Sequence, residues 1–173
     1  GVYSVGPHAA AEAALLPVIA LAMVSTFVPA IAEGILTRGF WWRVPGTALR
    51  GATFIVVSSL IYVLNHIYRL ADGPSEWLML FCFGVAYAAA LVRTGSLWAP
   101  VGLHWGWNLP NPLLGQFADV QLLGDGGWML SAAAHLLMAA VILVLPSRRR
   151  AYACARSKPR RCGRTSRAAV ENG

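Results

Sequence analysis

Apolar runs long enough to cross a bilayer recur along this chain, and that constrains its fold more than any other feature. A crossing helix needs about 20 residues. Residues 10–42, 47–69, 75–91, 97–108 and 127–145 form five apolar stretches in succession, separated by short polar turns such as Asp72-Gly73-Pro74-Ser75. With 57% of its 173 residues hydrophobic and 12% charged, the chain is too apolar for an ordinary soluble domain. The expected class is an all-α polytopic transmembrane helix bundle, with about five spans over residues 1–146. As a single helix the first stretch would reach about 50 Å at 1.5 Å per residue, well beyond a hydrocarbon core of about 30 Å. A kink or break is therefore expected near Pro29, just before Glu33. The fourth stretch is expected to fade between Asn108 and Pro112.

The net charge of +7 comes from one end. Nine of the fourteen Lys and Arg residues lie in residues 147–173, leaving five basic against six acidic residues in the body. Residues 147–173 read as a basic, disordered tail with little to bury. Arg38, Arg43 and Arg50 follow the first span, Arg93 follows the third, and the tail follows the fifth. Five spans put all of these on one side, which the distribution of positive charge marks as cytoplasmic. The protein is thus expected to be integral to a membrane, read from composition as the bacterial cytoplasmic membrane, with its tail cytoplasmic and in contact with anionic lipid. No basic face alternates with stacking aromatics, so nucleic acid is not an expected partner. Cys82, Cys154 and Cys162 match no zinc spacing. The chain begins at Gly1 and reads as part of a longer membrane protein.

Four polar residues inside these apolar stretches carry the functional argument. Residues 93–108, RTGSLWAPVGLHWGWN, place Pro100 in the first turn of a helix, where its missing N–H costs nothing. His104 and Asn108 follow at i and i+4 and share one face. Glu33 lies about 15 Å along the helix from Arg43 at the cytoplasmic edge, and a carboxyl at that depth is either functional or paired, here with Arg38. His66 has Tyr62 one turn before it. Taken alone, a histidine in such a helix is more often a packing residue than a catalyst, and His135 reads as structural. Taken together, the carboxylate can accept a proton from water, one histidine can orient that water, and a His/Asn pair can donate to a developing oxyanion. Zinc ligation by Glu33, His66 and His104 stays open, although no H-E-x-x-H helix suggests it.

In their order and spacing these residues resemble the CPBP family of intramembrane proteases, the CAAX-processing and bacteriocin-processing (Abi) group that includes the type II CAAX prenyl endopeptidase. That family carries Glu-Glu-x-x-x-Arg, then Phe-x-x-x-His, then His-x-x-x-Asn behind a lead-in similar to RTGSLWAP. Here the sequence has Glu33-Gly34-Ile35-Leu36-Thr37-Arg38, then Tyr62-x-x-x-His66, then His104-x-x-x-Asn108. The resemblance covers roughly residues 15–145. It implies an intramembrane endopeptidase (hydrolase) in which Glu33 and His66 activate water while His104 and Asn108 hold the oxyanion, with Arg38 and Tyr62 in support. It also implies a glutamate-dependent mechanism that needs no cofactor, although such enzymes were first classed as metalloproteases. The substrate would be a membrane-associated peptide or protein, prenylated or a bacteriocin-like precursor.

Gly34 departs from the family pattern by replacing the second glutamate, which on a regular helix would stand at i,i+4 from Arg38. Two expectations follow. Either the missing carboxylate only orients, and activity is lowered, or the chain is a non-catalytic homologue serving as a membrane immunity or scaffold protein. A geometric difficulty accompanies the site. Counted at about 1.5 Å per residue from the cytoplasmic edge, Glu33 lies near 15 Å, His104 near 10 Å and His66 at 20 to 24 Å. Tilted helices, or a second span starting later than Arg50, would reconcile them.

Overall fold

The computed structural model describes residues 3–7, 15–43, 49–122 and 126–144, which form part of one compact unit, Gly1–Leu143, and the end of its last helix. The basic tail 147–173 and His8 lie outside the described residues. A strand β1 (Tyr3–Pro7) precedes α1 (Leu15–Gly34), which runs into a π-helical turn at Ile35–Gly39 and a last short helix α2 (Phe40–Arg43). Next come α3 (Gly51–Asn65), a 3-10 segment at Ile67–Asp72 and α4 (Pro74–Thr94). The chain continues through α5 (Trp98–Asn108), α6 (Pro110–Phe117), strand β2 (Ala118–Leu122) and α7 (Gly126–Val144). The bundle is all-α apart from one antiparallel ribbon, in which Tyr3 pairs with Leu122 and Pro7 with Ala118. The composition gave no sign of that ribbon.

Among the described residues, three helical stretches have the length and hydropathy to cross a bilayer: Leu16–Arg43, Pro74–Thr94 and Gly126–Val144. The second apolar stretch forms a shorter helix of 15 residues, α3. The fourth does not fade after Asn108. Leu109 keeps helical dihedrals (φ −60°, ψ −39°), and Pro110 begins α6 at a position where its absent N–H is tolerated. Helical backbone thus runs from Trp98 to Phe117 with only Leu109 between its two parts. Of the two alternatives at Pro29, a break does not occur. Pro29 lies inside an uninterrupted α1, and the departure from α geometry comes after Glu33, in the π turn.

α4 is the central element. Its membrane-length window is 61% buried, against 17% and 22% for the other two. Small residues make this burial feasible, since Gly84, Ala86 and Ala88 to Ala90 let neighbouring backbones approach closely. Tightest is the contact with α3, where a Cβ built on Gly84 would lie 2.7 Å from Ser59 Cα. The helix ends at Gly95, whose left-handed φ of +66° lets its N–H close onto the Leu91 carbonyl at 2.7 Å. The outer faces of α1 and α7 expose Leu16, Leu21, Val24, Leu137 and Val144. In water such faces would drive aggregation, whereas in a bilayer they are the surface that lipid covers. The protein is integral to the membrane.

Candidate active site

Glu33, His66 and His104 meet in the interior. His66 Nε2 lies 3.6 Å from Glu33 Oε2, and His104 Nε2 lies 3.9 Å from the same oxygen. Glu33 Oε2 has no hydrogen-bond partner among the described residues. The depth difficulty is thereby answered. α3 begins at Gly51, directly after Arg50, so no later start helps. The contacts instead require helices whose ends do not share one level.

Each side chain has a local reason for its position. Glu33 ends α1, and the π turn after it closes with Phe40 N–H on the Ile35 carbonyl. On a regular α-helix, residues five apart point about 140° away from each other. The wider i→i+5 turn brings Arg38 round toward the side that Glu33 occupies. Two hydroxyls staple this turn: Thr37 Oγ1 donates to the Glu33 carbonyl at 2.6 Å, and Ser58 Oγ from α3 donates to the Thr37 carbonyl at 2.9 Å. His66 caps α3 with non-helical dihedrals (φ −99°, ψ 37°), which swings its ring out of the helical series. Its Nδ1 lies 2.8 Å from the Tyr62 carbonyl. A carbonyl can only accept, so the proton belongs on Nδ1, and Nε2 presents a lone pair toward Glu33.

Arg38 is wholly buried, with its guanidinium 4.8 Å from the Tyr62 ring centroid and 5.0 Å from that of Tyr87. None of its three nitrogens has a hydrogen-bond partner among the described residues, so the two aromatic faces are its main support. Tyr62 contacts His66 at 4.6 Å and His104 at 6.0 Å between ring centroids, and its side chain is a hydrogen-bond partner of Glu33. Asn108 lies one turn beyond His104 at the end of α5, half-buried. The missing second glutamate has a packing correlate. A Cβ on Gly34 would stand 2.9 Å from Val101 Cγ2, so α1 and α5 approach each other where Gly34 lies.

Sequence reasoning missed Tyr87. It is fully buried in α4 and stacked on His104 at 5.0 Å with 23° between ring planes. The available signal was a lone phenol in GVAYAAAL, since a buried tyrosine hydroxyl needs a partner. That partner is His135, whose Nε2 lies 3.1 Å from the hydroxyl. Among the described residues, no group of three or more His, Cys, Asp or Glu side chains is arranged to hold a metal ion.

The arrangement sets one buried carboxylate oxygen beside two imidazoles, a set that can exchange a proton with a water admitted there. Neither the curated proteins nor the solved structures contain a match to this chain. The family model described as type II CAAX prenyl endopeptidase Rce1-like matches residues 15–110, which include Glu33, His66, His104 and Asn108. Because that match spans more than half of the chain, the protein belongs to the Rce1-like type II CAAX prenyl endopeptidase family, whose members are intramembrane endopeptidases of peptide and protein substrates.

Proposed function

We propose that this protein hydrolyses a peptide bond of a membrane-associated substrate with Glu33 as general base. The observation that carries the reading is the convergence of two imidazole Nε2 atoms on one unpartnered Glu33 oxygen, at 3.6 and 3.9 Å. Atoms this far apart can share a water lying about 2.8 Å from each. Tetrahedral zinc with bonds of about 2.0 to 2.1 Å holds its donors only about 3.3 to 3.4 Å apart, closer than these pairs stand. We therefore derive no step through a metal.

In this mechanism the bound water gives a proton to Glu33 as its oxygen attacks the scissile carbonyl carbon. The Nε2 lone pair of His66 accepts the water's other hydrogen and aims the nucleophile. His104 Nε2–H and the Asn108 amide donate to the carbonyl oxygen as it takes negative charge. Collapse of the tetrahedral intermediate breaks the C–N bond, and Glu33 delivers its proton to the leaving amine. The substrate class we assign is a peptide or protein held at the membrane, a prenylated C-terminal sequence or a bacteriocin-like precursor. The arginine distribution supports a cytoplasmic side for residues 147–173, and the Ala- and Arg-rich composition supports a bacterial membrane.

A second reading, a non-catalytic immunity or scaffold protein, is favoured by Gly34 and by the unpartnered guanidinium of Arg38. One experiment separates the two. Wild type and Glu33→Gln are purified, reconstituted and offered a panel of membrane-anchored and prenylated peptides, with and without chelator. Cleavage that Glu33→Gln abolishes and chelator leaves intact is the expected result. Loss with chelator would refute the metal-free mechanism, and wild type that cleaves nothing in the panel would favour the non-catalytic reading.

A further inference from the structure

We propose that Tyr87 and His135 form a positioning pair for His104, so that α7, which lies beyond the matched segment 15–110, takes part in setting the catalytic geometry. This rests on the assignment of His104 to the oxyanion site. Among the described residues, the three buried histidines differ in how their rings are tied. Nδ1 of His66 is tied to the Tyr62 carbonyl and Nδ1 of His135 to the Ser131 carbonyl, both at 2.8 Å. Nδ1 of His104 is buried and has no hydrogen-bond partner among the described residues. A ring that lacks such a tie is free about its terminal torsion unless packing holds it, because torsions of this kind have broad wells.

The packing that holds His104 is the face of Tyr87, at 5.0 Å and 23°. Tyr87 is itself fixed at its far end. Since the Ser131 carbonyl can only accept, His135 carries its proton on Nδ1 and offers a lone pair on Nε2. The Tyr87 hydroxyl, 3.1 Å away, must then be the donor, and the bond has only one sense. His135 cannot easily turn to release it, being stacked on Phe83 at 3.6 Å and 22° and pressed edge-on against Trp107 at 4.4 Å. The order of support is Ser131, His135, Tyr87, His104. The same Tyr87 ring lies under the Arg38 guanidinium, so one phenol registers two groups of the site.

A histidine that only fills space would be replaced equally well by any side chain of its volume. Positioning through the hydroxyl makes a different demand, and it separates His135→Leu, which removes the acceptor, from His135→Gln, which offers one. On the peptide that wild type cleaves fastest, Tyr87→Phe and His135→Leu should each lower kcat by roughly 10-fold with KM within about twofold, as small misplacements of a catalytic group do. The double variant should be no slower than either single one, because both remove the same link. It should also fold, since it replaces both partners of a buried hydrogen bond by apolar groups. His135→Gln should be about fivefold faster than His135→Leu, the separation that distinguishes an acceptor from mere volume.

A second readout needs no turnover. In reconstituted protein labelled at histidine, the His104 ring resonances should move in His135→Leu as the Tyr87 face shifts over them. Equal rates for the Leu and Gln variants, effects that multiply in the double variant, or His104 resonances unmoved by His135→Leu would each overturn the proposal. Glu33→Gln in the same assay tests the general base independently, so failure of that assignment is distinguishable from failure of this pair.

Discussion

Gly84→Ala adds one methyl group where α3 and α4 touch, and the structure fixes how far that methyl must push. Its Cβ would lie 2.7 Å from Ser59 Cα and 2.9 Å from Ser59 Cβ. Carbon atoms rest at about 3.5 to 4.0 Å, so the helices must separate by at least about 0.8 Å along this contact. The nearest atom belongs to backbone, and no rotamer change relieves it. The energetic cost is that of overpacking, about 1 to 3 kcal/mol, offset by about 1 kcal/mol of helix propensity gained from losing a glycine. Stability should therefore fall only modestly. Activity should fall much further, because α3 carries Tyr62 and is capped by His66 while α4 carries Tyr87. A displacement near 1 Å in a catalytic constellation costs on the order of 100-fold in rate. The assay pairs thermal unfolding of the detergent-solubilised protein with kcat for the best peptide substrate. Activity within threefold of wild type, with an unchanged or raised melting temperature, would refute the reasoning.

Three further substitutions test other contacts of the site. Gly34→Glu alone should not raise cleavage, because its Cβ would meet Val101 Cγ2 at 2.9 Å; combined with Val101→Ala it should exceed Gly34→Glu alone, and equal rates for the two would dismiss Val101 as the obstacle. Asn108→Ala should lower kcat by roughly 100-fold with little change in KM, as loss of an oxyanion donor does; a kcat within threefold of wild type would remove Asn108 from the mechanism. Arg38→Leu leaves the Glu33 carboxylate without a neighbouring buried cation and should cost more than 10-fold in cleavage, with Arg38→Lys intermediate because it keeps the charge but not the planar stack; wild-type turnover in Arg38→Leu would show that Glu33 does not depend on it.

What the sequence made legible was local. His104 and Asn108 lie one turn apart within α5, as helical periodicity implies, whereas His66, one turn after Tyr62, has already left the helical series. The relation between helices was not readable in that way. Counting residues from a common edge put His66 several ångströms deeper than Glu33, yet their side chains meet at 3.6 Å. Where a helix starts in the bilayer is set by its partners, and no local pattern records it. The π turn was hidden for a related reason. Ile35-Leu36-Thr37-Arg38-Gly39 is ordinary helical sequence, and its wider turn is held by Ser58, 21 residues away. Pro29 does not break its helix, and Pro110 opens α6 where the span was expected to fade. Tyr87 was overlooked because an alanine-rich run reads as an undistinguished span, whereas the smallness of those residues is what puts α4 at the centre.

The burial pattern around Glu33 shows how its charge is held inside the bundle. Arg38 is fully enclosed, and the side chains of His66 and His104 keep 7% and 5% of their exposure. Glu33 keeps 18%, the most open of the three groups that would touch the nucleophile. A carboxylate in a bilayer is costly, and here a buried cation lies close enough to offset it, itself supported by aromatic faces on α3 and α4. The π turn makes that arrangement compatible with a single helix, since it supplies both charges five residues apart without leaving either facing lipid. Charge compensation is therefore built inside the bundle, and Glu33 Oε2, between the two imidazoles, is itself buried. In the proposed mechanism a base compensated by a guanidinium that makes no hydrogen bond among the described residues can take a proton from water without first shedding a salt-bridge partner.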